Sequence, residues 1–133
     1  MAAEGIRRPQ RMIGMRVAIT RCIDDSQWPS FIECEFKDVH GYVHRFEEKS
    51  AVVTCDDINS ATPFPCSAVV ACKIVGPGKT VGGKSTYVVD TELPWHVRST
   101  ENNSRFEVLL DDLVEWEFGS SDFREFASKF ETF

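Results

Sequence analysis

The stretch Ile32-Glu33-Cys34-Glu35-Phe36-Lys37-Asp38-Val39-His40-Gly41-Tyr42-Val43-His44-Arg45-Phe46-Glu47 decides the fold class. Ile32, Cys34 and Phe36 alternate with Glu33, Glu35 and Lys37; after a break, Tyr42, His44 and Phe46 alternate with Val43, Arg45 and Glu47. A period of two is that of a strand with one buried face. The length of the connection then fixes which side chains share that face. A two- or four-residue loop sets Ile32, Cys34 and Phe36 beside Arg45 and Glu47, mixing core with solvent. A three-residue loop, Val39-His40-Gly41, pairs Asp38 with Tyr42, so that Phe36 meets His44 and Cys34 meets Phe46. Glu35 then faces Arg45 on the outer side, a favourable cross-strand pair. Asp38 suits the first position of a type I turn, and Gly41 the left-handed bulge that closes such loops. Pattern, charge and turn chemistry specify one hairpin.

The same alternation extends outward. Met15, Val17 and Ile19 predict a strand, followed by a polar loop over 22–30 with Asp24, Asp25, Trp28 and Pro29. Further strands are predicted over 51–54, 68–75 and 86–90, with a weak one over 95–99. Residues 68–75 are apolar on both faces, as in a central strand. Thr54 and Asp57 are placed to cap a single helical turn, after which Pro63 and Pro65 force irregular chain. Glu101-Asn102-Asn103-Ser104 reads as a turn, and Phe106, Val108 and Leu110 resume alternation. Leu110-Asp111-Asp112-Leu113 reads as one tight turn before a last strand, with Val114, Trp116 and Phe118 inward and Glu115 and Glu117 outward. This strand, turn and strand resembles, in layout, the end of SH3-like barrels.

After Gly119 the period changes. Phe123, Phe126, Phe130 and Phe133 fall on one side of a helix opened by Asp122 and Glu125. About ten residues are too few for a helix stable alone in water, so the stripe is expected to dock on the domain, a second copy or a partner. The expected fold is mainly β: a small antiparallel β-barrel or rolled sheet over 15–119. A disordered basic leader over 1–14 precedes it, and a short C-terminal α-helix over 120–133 follows.

The 133 residues suit one domain, and 42% apolar with 27% charged residues is a globular balance. Ten Phe against two Tyr points to packing rather than polar recognition. No apolar run approaches the ~20 residues of a membrane span. Arg7, Arg8 and Arg11 stand in a start without a hydrophobic segment, which is not a secretory signal. A leader, a start codon upstream of Met12 or Met15, or a transit peptide accounts for it. Residues 1–16 carry a balance of +3 and the remainder −9, within a total of −6. An acidic body repels phosphate backbones, which argues against nucleic acid and for a protein partner, basic or a second copy. Five cysteines, odd in number and irregularly spaced, fit thiols in a reducing cytoplasm.

Four groups of residues bear on chemistry. Residues 78–85 satisfy G-x-x-x-x-G-K-[ST], with Gly78, Gly83, Lys84 and Ser85 at the fixed positions of a phosphate-binding loop. Such a loop must open into a helix whose amides face the phosphates. Here Thr86-Tyr87-Val88-Val89 is strand-like, and the glycines suit a hairpin tip instead. Cys34 and His44 lie diagonally on one predicted face, the arrangement of a thiol nucleophile with its base or half a metal pair. A tetrahedral site needs a second pair, which the sequence lacks, so no metal or cofactor is expected. His40 and His96 are expected to be solvated. The doublets Asp24-Asp25, Asp56-Asp57 and Asp111-Asp112 read as turn residues. Trp28 and Trp95 form an aromatic platform if they are exposed together, and Phe123, Phe126 and Phe130 are the candidate partner-binding stripe. Two function classes follow: a non-catalytic interaction module, of inhibitor or immunity type, and a small enzyme or phosphate-binding protein using Cys34/His44 or the 78–85 loop.

Overall fold

The computed structural model describes residues 11–117. Its spine is β1, Arg11–Asp24. The other strands are β2 (Phe31–Lys37), β3 (Val43–Lys49), β4 (Cys66–Pro77), β5 (Thr86–Asp90), β6 (Arg105–Leu109) and β7 (Leu113–Glu117). One helical turn, α1 (Ser50–Val53), follows β3, and a 3₁₀ turn, Leu110–Asp112, precedes β7. The strands form an antiparallel sheet in the order β3-β2-β1-β4-β5-β6, curled into a half-barrel. β7 pairs with Arg11–Met15 of β1, on the edge that β2 takes further along. Two long strands therefore each serve two sets of neighbours: Cys66–Cys72 of β4 pairs with β1, and Lys73–Pro77 with β5. Register shifts between Ile19 and Arg21, Cys22 and Asp24, and Ile74 and Gly76 supply the local bends that curl the sheet.

The hairpin read from sequence is the one observed. Cys34 faces Phe46, Phe36 faces His44, and Glu35 faces Arg45 with the ion pair at 3.4 Å. Asp38 N–H donates to the Tyr42 carbonyl and Gly41 N–H to the Asp38 carbonyl, with Gly41 at φ +86°. The inward residues Ile32, Cys34 and Phe46 join Met15, Val17 and Ile19 of β1, Ala68, Val70 and Cys72 of β4, Val89 of β5, and Phe106 and Val108 of β6 in one core. Met12, Val69, Ala71 and Val114 form a second cluster on the opposite face of β1 and β4. β4 is thus buried on both sides along Ala68–Cys72, which is why its sequence is continuously apolar.

Several expectations are corrected. β1 starts at Arg11 rather than Met15, because β7 gives that end of the strand a partner, and it continues to Asp24 along β2. Residues 51–54 are not a strand. Ser50 N–H donates to the Ser30 carbonyl where the β2–β3 ladder ends, so the chain beyond has no strand to pair with. It turns as α1 instead, dropping Val53 into the core, with Thr54 ending the turn rather than starting one. Residues 95–99 are irregular too. His96 has φ +55°, its N–H donates to the Glu92 carbonyl, and buried Thr91 holds the segment by donating its hydroxyl to the Val97 carbonyl at 2.7 Å. Leu110 leaves the alternation, 56% exposed in the 3₁₀ turn, because β6 runs out of partner at Thr86. The C-terminal helix over 120–133 and residues 1–10 of the leader lie outside the described residues. No described helix is long and apolar enough to cross a membrane.

Candidate functional site

The Gly-rich segment folds as a hairpin tip. Val81 and Lys84 exchange both backbone hydrogen bonds at 3.0 Å, and Gly82 and Gly83 between them have φ +58° and +78°. Positive φ at both central residues makes this a two-residue turn of the primed type, for which glycine is the natural occupant. β5 begins directly afterwards at Thr86, so no helix N-terminus faces Gly78, Gly83, Lys84 or Ser85. Lys84 and Ser85 instead line a shallow cleft of about 270 Å³ with Leu109, Leu110 and Asp111.

Cys34 and His44 are both inward but do not interact by hydrogen bonding. Cys34 is 0% exposed, and burial, with Cys66, Glu48 and Glu33 adding to it, pushes its thiol up to about 12. A thiol so held supplies no thiolate near neutral pH. His44 Nε2 donates to the Asp38 carboxylate at 2.7 Å, and its ring packs against Phe36 and Phe106 at 5.2 and 4.8 Å. Its Nδ1 is buried and has no hydrogen-bond partner. Burial acts to raise Asp38, but hydrogen bonds from His44 and from the Tyr42 and His40 N–H groups outweigh it and hold the carboxyl below its usual range. The imidazole is a core element anchored to its own turn. Among the described residues no group of three or more His, Cys, Asp and Glu side chains is placed to hold a metal ion.

Sequence reasoning missed a polar node around Glu107 on β6. Its carboxylate accepts from the Thr86 hydroxyl at 2.8 Å, the Lys79 N–H at 2.6 Å and His40 Nε2 at 2.9 Å. These three bonds, in that order of effect, hold the carboxyl at about 2. His40, expected to be solvated, is exposed yet committed to this bond; His96 is exposed and pairs with Glu92. Nothing local marked Glu107, since its partners lie 21, 28 and 67 positions away.

The tryptophans occupy separate connections. Trp28, in the loop between β1 and β2, is 78% exposed, while Trp95 lies between β5 and β6 and is 41% exposed. Trp28 lines a cleft of about 250 Å³ together with Asp25, Asp57 and Ile58. A wider cleft of about 480 Å³, lined by Asp56, Pro63 and Pro65, adjoins it and shares Asp57 and Ile58. Asp25 accepts from the Ser60 N–H at 2.9 Å, and the Ser30 hydroxyl donates to the Ile58 carbonyl at 2.6 Å, tying the two loops together. The Ser60 bond also holds the Asp25 carboxyl below its usual range. Asp25 and the doublet Asp56-Asp57 thus line adjoining clefts. The candidate stripe of Phe123, Phe126 and Phe130 lies outside the described residues. Comparison with family models, curated proteins and solved structures finds no match to the chain.

Proposed function

We propose that the chain is a non-catalytic protein-interaction module, of the inhibitor or immunity kind, whose acidic body meets a basic protein. One observation carries this reading: among the described residues, the groups that the sequence offered for chemistry are committed to the fold. Cys34 is a buried thiol, His44 is held by Asp38, His40 is held by Glu107, and the 78–85 loop is a tight turn. Trp28 stands outward beside Asp25 and Asp57 on a chain of net charge −6. Such a surface speeds encounter with a positively charged partner and disfavours acidic ones. The return of β7 to β1 after a 3₁₀ turn supports an SH3-like layout within this reading. The five cysteines form no disulfide, which supports a cytoplasmic setting.

The competing reading is phosphate or nucleotide binding at the 78–85 loop, and thermal melts separate the two. A ligand that binds only the native state raises its melting temperature by mass action. ATP and inorganic phosphate are expected to leave the melting temperature of the full chain unchanged. A rise that Lys84→Ala abolishes would reject the interaction-module reading.

A further inference from the structure

We infer that the paired clefts beside Trp28 are the docking surface, and that the occupant is a Lys- or Arg-bearing segment of a partner protein. This rests on the interaction-module reading and narrows it to one face. The two clefts share Asp57 and Ile58 in their linings, and the exposed rings of Pro63 and Pro65 offer apolar contact beside buried Ile58. Trp28 lines the smaller cleft and is 78% exposed, which is unusual for a side chain whose burial is worth so much. Asp25, Asp56 and Asp57 line the two clefts, and among the described residues neither lining includes a Lys or Arg.

That combination selects its occupant. A cation gains by lying over an indole face and by charge-assisted hydrogen bonds to carboxylates. An aliphatic Lys or Arg stem covers apolar floor while its charged head reaches the rim. An acidic segment meets three like charges here, and so does a second copy presenting the same face. The loops are already tied by the Asp25–Ser60 and Ser30–Ile58 hydrogen bonds, so little order has to be created on binding. Trp28, Asp25 and Asp57 are the residues on which affinity depends.

The test titrates the full chain, at low salt, with a capped peptide of alternating arginine and alanine and with its glutamate counterpart, by calorimetry. The basic peptide is expected to bind and the acidic one not to. Trp28→Ala and the pair Asp25→Asn with Asp57→Asn are expected to weaken binding about tenfold each. Asp111→Asn removes one carboxylate charge outside the groove and is expected to change affinity less than about twofold. Circular dichroism confirms that each variant is folded. Absence of binding, or equal weakening by Asp111→Asn and by the groove variants, overturns the assignment. A basic partner protein bound undiminished by the groove variants also overturns it while leaving the interaction-module reading intact; that reading falls separately, on the Lys84-dependent melting shift.

Discussion

His40, in the turn between β2 and β3, lies 2.9 Å from the carboxylate of Glu107 on β6. The two residues belong to opposite ends of the strand order, and the bond between them helps close the curl of the sheet. The seam has no continuous ladder. Val39 N–H donates to the Glu107 carbonyl at 3.1 Å and Thr100 N–H to the Arg45 carbonyl at 2.8 Å. Beneath them Phe36, His44, Phe46 and Phe106 pack edge and face, with ring centres 4.8 to 6.0 Å apart. Aromatic packing inside and Glu107 outside do the work that strand pairing does elsewhere.

Glu107 makes the seam acid-sensitive. Its carboxyl sits at about 2 in the fold against an ordinary 4.5. A depressed folded value means a contribution present above about 4.5 and lost as pH falls toward 2. Glu107→Gln is expected to lower the melting temperature at pH 7. The gap from the parent should shrink between pH 5 and pH 2, as followed by circular dichroism. A gap independent of pH would show that the carboxylate charge is not what the three donors serve.

Gly78 and Gly82 differ in why they are glycine. A Cβ at Gly78 would overlap the Thr86 hydroxyl and the Glu107 carboxylate, whereas Gly82 has open space but φ +58°. Gly82→Ala is expected to cost about 1–2 kcal/mol, the strain of a left-handed residue. Gly78→Ala is expected to disrupt the node itself, so its cost should fall in a Glu107→Ala background. Denaturant melts of the double-mutant cycle measure that coupling; strict additivity would contradict it.

Phe46 is fully buried at the junction of the hairpin and β6. Phe46→Ala should therefore destabilise by about 3–5 kcal/mol, combining lost transfer energy with the cavity left behind. Urea denaturation gives the value. A loss under 1 kcal/mol would place the ring outside the core.

The cysteines should sort by burial. Burial raises Cys34 and Cys72 to about 12, with Asp90 adding to the latter, while Cys55 is exposed. Iodoacetamide on the native chain is expected to modify Cys55 and spare Cys34 and Cys72 until denaturant is added, as read by peptide mass. Rapid native labelling of Cys34 would revive it as a nucleophile.

The sequence by itself determined the local geometry. Alternation, a three-residue loop and an Asp–Gly turn were enough to set the β2–β3 register to the residue. Glycines before β-branched residues were enough to make residues 78–85 a bend in a ribbon. These features depend on neighbours a few positions apart, where side-chain period and backbone preference act directly. Only the tertiary structure decided which segments found partners. It extended β1 to Arg11 because β7 returns to it, turned residues 50–53 into a helix because the ladder ended, and pinned 95–99 through Thr91. It also brought His40, Lys79 and Thr86 to Glu107, and set Asp25 and Asp57 in one cleft with Trp28. Contacts across such separations arise from the curl of the whole sheet, and no local pattern records where that curl brings two residues together.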